Sequence, residues 1–136
     1  MKRRDLLLGG AALALGQAVP AAAQDMRDSP IGLILVGASW CPFCKSASGT
    51  LFAAAGPAEL PVLVASKDGK AIPPYPDFVD ARGHPFAKDV VEIPTLLFVH
   101  LPTQQVIAKI NGFRNPRAYL TKIRAVLKEA QEAGYV

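Results

Sequence analysis

The chain has two cysteines, three positions apart in Trp40-Cys41-Pro42-Phe43-Cys44-Lys45, and what flanks them narrows the fold sharply. An apolar run, Ile31 to Val36, precedes them and reads as a buried strand. A run rich in Ala and Ser, Lys45 to Ala55, follows and reads as a helix ended by Gly56-Pro57. A Cys-x-x-Cys at such a junction places the first sulfur at the helix N-terminus. Unpaired N–H groups and the helix dipole there favour thiolate over thiol. Two sulfurs on one turn can also close a disulfide and reopen it by exchange. The residues point to a redox pair.

Two blander readings compete with this one. A structural disulfide across so tight a loop would remove little unfolded-state entropy, roughly 2 kcal/mol against about 4.7 for a 100-residue loop. A zinc site would need two further ligands, and only His84 and His100 are available, neither at zinc-finger spacing. No metal is therefore expected, and the redox reading is preferred.

Trp-Cys-x-x-Cys-Lys behind an apolar strand resembles the thioredoxin superfamily. Ile93-Pro94-Thr95-Leu96-Leu97 resembles the segment in which thioredoxins carry their cis-proline, and Gly112 follows at a matching place. Together these span about Ile31 to Leu127. Only about seven residues lie between the expected leader and the first strand, so the first strand and helix of a full thioredoxin have no counterpart. The resemblance thus implies an α/β, minimal thioredoxin (glutaredoxin-like) fold: a four-stranded mixed sheet with helices on both faces.

Read in order, Met1 to Ala23 has the three parts of a secretory signal peptide. These are basic Lys2-Arg3-Arg4, apolar Leu6 to Val19 and small residues through Ala21-x-Ala23, with cleavage expected before Gln24. The apolar run is shorter than a membrane span needs and contains Gln17. Arg3-Arg4 before Asp5-Leu6-Leu7 resembles a twin-arginine signal, and an ordinary Sec signal fits as well. Half of the +4 net charge sits in this leader, and no Lys/Arg-rich run appears beyond it, so a nucleic-acid partner is not expected. Residues 24–136 are expected to form one thioredoxin-like domain in the periplasm.

Within that domain, Pro61 to Ser66 reads as a second strand and Lys67-Asp68-Gly69-Lys70 as a turn. Asp77 is placed to cap a short helix over Phe78 to Arg82, and Pro85 to open another turn to Val90. Thr95 to His100 and Gln105 to Ile110 read as an antiparallel pair. Asn115-Pro116 starts the last helix, with Leu120, Ile123, Val126 and Leu127 as its core stripe.

The resemblance carries roles onto matching residues. Cys41 would attack a substrate disulfide and Cys44 resolve the mixed disulfide. Pro94 would be cis, with the Ile93 backbone facing the sulfurs to pair with a bound peptide beside Thr95. Trp40 would shield the thiolate, or else be a core tryptophan. Pro42 and Phe43 tune the pair, and the absence of a histidine between the cysteines leans towards a reductant. Lys45 either adds positive field or is an exposed helix lysine.

The chain also departs from the pattern. Leu35 stands where thioredoxins keep a buried Asp, and Glu92 where a small residue is common; His84 reads as a loop residue.

The expected activity is an exported thiol–disulfide oxidoreductase. It would need no cofactor beyond the Cys41–Cys44 disulfide and would work as a monomer. It would reduce disulfides or S-thiolated cysteines of a specific periplasmic partner. A membrane electron donor of a thiol-reducing pathway would supply it. The size and compartment resemble small thioredoxins of sulfur-oxidation (SoxS/SoxW) or cytochrome c maturation type. The alternatives are a glutaredoxin-like deglutathionylating enzyme and a non-catalytic thioredoxin-fold binding or metal module.

Overall fold

The computed structural model describes residues 30–136; the expected signal peptide, 1–23, lies outside them. Strand β1 (Ile31–Gly37) is buried along its whole length. It has strands on both sides: β2 (Val62–Ser66) pairs with it in parallel and β4 (Thr95–His100) antiparallel. That double pairing is why Ile31 to Val36 is apolar without alternation. Ile31, Leu33 and Leu35 point to one face and Ile34 and Val36 to the other.

Helix α1 (Pro42–Ala58) and helix α2 (Pro116–Glu132) both pack on the first face. Ala47, Leu51 and Ala55 of α1 meet Tyr119, Ile123 and Ala130 of α2 over Leu33, Leu35, Leu96 and Phe98. Asn115 caps α2, its Oδ1 accepting the Ala118 N–H at 2.8 Å, with Pro116 at the first helical position. Leu120, Val126 and Leu127 are only half-buried on the flank of this stripe, whose fully buried members are Tyr119, Ile123 and Ala130. The α1 helix runs through Gly56-Pro57 and ends one residue later, at Ala58. The Glu59 N–H bonds to the Gly56 carbonyl and the Leu60 N–H to the Ala55 carbonyl, with Glu59 left-handed at φ 55°. This closure satisfies the last carbonyls, and a proline so near the end forfeits a single donor.

The expected α/β thioredoxin fold is present, with two differences. The sheet has five strands, not four: with β3 (Val79–Asp80) and β5 (Gln105–Asn111) at its edges, the order is β3-β2-β1-β4-β5. The extra strand, β3 (Val79–Asp80), pairs in parallel with Ala65 and Ser66, where a helix over Phe78 to Arg82 was expected. Pairing with the edge of β2 satisfies the backbone there and lets Val79 pack on the core. Asp80, not Asp77, then caps a single 3-10 turn (Ala81–Gly83), accepting the Arg82 N–H at 2.9 Å.

The second face is accordingly covered by this turn and an irregular segment, through Ala81, Phe86, Ala87 and Val90, instead of a full helix. Strand β5 (Gln105–Asn111) closes the far edge against β4.

Tyr119 is 2% exposed, and its hydroxyl has no hydrogen-bond partner among the described residues. Its ring meets Phe113 edge-on at 5.0 Å. The ring, not the hydroxyl, should therefore hold this part of the core. Tyr119→Phe is expected to change unfolding free energy by less than about 1 kcal/mol, and Tyr119→Ala to cost about 3–5 kcal/mol, as read by urea denaturation.

Candidate functional site

The C-terminal ends of β1 and β2 open onto a small cluster in which Ala38, Cys41, Cys44, Val64 and Ile72 pack together, with Tyr75 and Ile93 against them. Both cysteines are free thiols. Cys41 is the N-cap of α1, and its sulfur accepts the Cys44 N–H at 3.2 Å, as a serine hydroxyl would at the same place. Pro42 follows at the first helical position, where no N–H is required.

Cys41 stands at the helix N-terminus as expected, yet it is only 6% exposed. Its neighbours carry the exposure: Trp40 is 68% and Phe43 60% exposed, so Trp40 is not a core residue. The first sulfur is thus nearly buried between two sequence neighbours that are themselves exposed. The second is fully buried. Burial foremost, then hydrogen bonding to Cys41, push the Cys44 thiol from about 9 up to about 12.

Facing the cysteines is the bend before β4. The Ile93–Pro94 peptide is cis, and Ile93 packs against the cysteine cluster. Thr95, 1% exposed, donates its hydroxyl to the Glu92 carbonyl at 2.7 Å. Gly112, with φ +81°, donates its N–H to the Pro94 carbonyl at 2.7 Å, tying the end of β5 to this bend. That is the conformation for which a glycine is needed.

The structure thus brings Trp40, Cys41, Pro42, Phe43, Cys44, Ile93, Pro94 and Thr95 to one end of the sheet. Lys45 is exposed on α1, and Glu92 is exposed beside the bend. His84 lies in the segment over the second face, where its Nδ1 accepts the Phe86 N–H at 3.1 Å. An apolar groove beside it, lined by Gly32, Val62, Phe86 and Leu101, sits at the opposite end of the sheet from the cysteines. Among the described residues no three His, Cys, Asp or Glu side chains gather as a metal site.

Two features at the site were not singled out from the sequence. Gly37 ends β1 where a Cβ would stand 2.9 Å from the Cys44 sulfur, so only glycine allows that approach. The signal was a glycine closing an otherwise bulky strand. The second is a carboxylate, Asp68, in what had read as a plain turn. Its Oδ2 accepts the Ser39 hydroxyl, both oxygens accept the Ser39 N–H at 3.2–3.3 Å, and Oδ1 accepts the Ser66 hydroxyl at 2.8 Å. These bonds, that of Ser39 first, hold the Asp68 carboxyl down at about 2. No pattern local to residues 67–70 could announce a partner 29 positions away.

Residues 15–113 match the family described as TraF, F plasmid transfer operon protein. The chain belongs to this TraF family. Its fold is that of the thioredoxin superfamily, as solved structures also show. It is similar to a putative thiol:disulfide interchange protein DsbE from Chlorobium tepidum, with TM-score 0.56 and 18% identity over 79% of this chain and 83% of that one. It is also similar to a thio-disulfide isomerase from Thermus thermophilus, with TM-score 0.53 and 22% identity over 78% and 80%. A poplar thioredoxin h matches with TM-score 0.52 and 23% identity over 84% and 88%. No curated protein matches the sequence.

For this TraF family member, the buried Cys44 thiol makes the stability of the reduced protein depend on pH. Its folded value is raised, so the stabilisation is complete below its ordinary value near 9 and is lost as pH rises towards about 12. Serine at this position does not titrate. The melting temperature of the reduced protein, relative to Cys44→Ser, should fall steadily between pH 8 and pH 11 and stay level below pH 8.

Proposed function

We propose that this chain is a thiol–disulfide oxidoreductase that reduces protein disulfides, or S-thiolated cysteines, through a Cys41–Cys44 dithiol/disulfide cycle. The observation that carries the reading is the pair itself: a capping Cys41 sulfur bonded to the Cys44 N–H at 3.2 Å, with exposed Trp40 and Phe43 close by in sequence. The solved structures of similar fold include a putative thiol:disulfide interchange protein and a thio-disulfide isomerase, which agrees with it.

In the cycle, the Cys41 thiolate attacks one sulfur of the substrate disulfide. The substrate S–S bond breaks, a Cys41–substrate disulfide forms, and the departing thiolate takes up a proton from solvent. Cys44 then loses its proton and attacks the Cys41 sulfur, closing the intramolecular disulfide and expelling the second substrate thiol. Two electrons and two protons pass to the substrate. The raised Cys44 value means that proton loss is the step the site makes difficult. The exposed aromatics and the Ile93 bend would seat the polypeptide around its disulfide, with Pro42 and Phe43 offering no cationic donor to hold the pair as an oxidant.

The setting we infer is the periplasm, after removal of residues 1–23. In an oxidising compartment the pair ends each turnover as a disulfide, so a membrane electron donor of a thiol-reducing pathway must restore it. A sulfur-oxidation protein with a reactive cysteine is the partner class that suits a small monomer of this kind.

Trapping tests the reading. Purified Cys44→Ser protein, mixed with oxidised insulin, should form an adduct through Cys41 that dithiothreitol releases, and Cys41→Ser should form none and reduce no insulin. A Cys41→Ser protein that still reduces insulin would sink the proposal. A Cys44→Ser protein that still strips glutathione from a glutathionylated peptide would favour the deglutathionylating alternative.

A further inference from the structure

The charges of α2 run against the helix's own electrostatics. A helix favours acidic side chains at its start and basic ones at its end. Here the first turn has Arg117 and no acidic residue, whereas the last turn has Glu129 and Glu132 and no basic one. Arg124 and Lys128, four residues apart on one face, also repel each other. Neither placement serves the stability of the helix. A local rule broken without a local gain points to a use elsewhere.

The arrangement is wider than one helix. From Ile93 to Lys128 the chain carries Lys109, Arg114, Arg117, Lys122, Arg124 and Lys128, and no Asp or Glu. No two of these cations are adjacent, so they form no run in the sequence; the helix gathers them. Residues 117, 121, 124 and 128 fall on one face of α2, opposite the buried Tyr119, Ile123 and Ala130. Arg117, Arg124 and Lys128 are exposed along that face, and Arg114 is exposed just before the helix. None of the four forms an ion pair with a carboxylate of the described residues, as Arg82 does with Asp80.

This stripe starts at the redox end of the molecule. Asn111 pairs with Thr95 and the Gly112 N–H bonds to the Pro94 carbonyl, so Arg114 sits two residues beyond a glycine anchored to the bend that faces the cysteines. At the other end Arg124 and Lys128 border a shallow groove with Ile31, the first residue of β1. The rise from Arg117 to Lys128 is about 16 Å. A partner bound along the stripe therefore reaches the redox end at Arg114.

Charge complementarity selects the partner. The apolar side of α2 is spent on the sheet, and the exposed residues between the cations are Thr121, Lys122 and Ala125, so the stripe has no apolar face to insert into lipid. Fixed cations without such a face suit carboxylates on a protein surface.

We propose that Arg114, Arg117, Arg124 and Lys128 form a docking surface for an acidic protein partner and steer its disulfide to Cys41. This names the substrate class for the dithiol reading above and rests on that reading. Opposite charges raise the rate of encounter, and salt removes the gain.

Two peptides test this, each with the same disulfide loop and a tail as long as the stripe, one tail rich in Glu and the other in Lys. The rate constant for oxidation of the reduced protein is measured with each at about 20 mM and about 300 mM NaCl. The Glu-tailed peptide should react about tenfold faster at low salt and within about twofold of the other at high salt. Arg117→Gln/Arg124→Gln/Lys128→Gln should bring the low-salt ratio to within about twofold of unity. Lys67→Gln/Lys70→Gln/Lys88→Gln removes the same net charge away from α2 and should keep the preference.

Equal low-salt rates in the unaltered protein would overturn the proposal, as would a preference that survives the α2 substitutions or is lost equally in both variants. Co-sedimentation with phosphatidylglycerol vesicles that the α2 substitutions abolish, in a protein indifferent to the peptide tails, would overturn it in favour of a lipid surface. Uncharged hydroxyethyl disulfide separates the two levels of the account. An unaltered protein that cannot reduce it fails the dithiol reading itself, whereas one that reduces it without preferring the Glu tail fails only the docking proposal.

Discussion

The hydrogen bond from the Cys44 N–H to the Cys41 sulfur, 3.2 Å long, joins the fold to its chemistry. It starts α1, because an N-cap acceptor satisfies one of the donors that a helix leaves open. It also fixes which sulfur faces the surface and which is interior. The rest of the molecule supports that placement. β1, buried on both faces and paired on both edges, brings the chain to the cap at a defined point. Gly37 lets the Cys44 sulfur settle against the strand end. Tyr119 and Ile123 of α2 then lock α1 down onto the sheet.

Two further segments converge on the same point from distant parts of the chain. The bend at residues 92–95 is tied by Thr95 to Glu92 and by Gly112 to Pro94, and it presents Ile93 to the cysteines. The turn at residues 66–70 is tied by Asp68 to Ser39. A site assembled from three separate backbone segments, each internally bonded, keeps the two sulfurs in register while the exposed Trp40 and Phe43 meet an incoming chain.

Features with a local cause could be read in advance. The unbroken apolar run Ile31 to Val36, the proline and cysteine opening α1, and Asn115-Pro116 opening α2 each follow from residues a few positions apart. Those set by distant partners were hidden. Val79 and Asp80 form a strand because the edge of β2 is there to receive them, a fact that residues 77–83 do not contain. The core stripe of α2 centres on Tyr119 because Phe113 and the α1 alanines leave room for a ring. Asp68 read as a turn residue because Ser39 lies far off in sequence.

The central claim is that this pair works as an electron donor, and its reduction potential tests that most directly. Thioredoxins lie near about −270 mV and strong dithiol oxidants near about −120 mV. With a buried Cys44 and no histidine between the cysteines, equilibration of the purified protein with a glutathione or dithiothreitol redox buffer should give a value on the thioredoxin side of that range. A potential near about −120 mV would contradict the account, and would make the same geometry that of an oxidant.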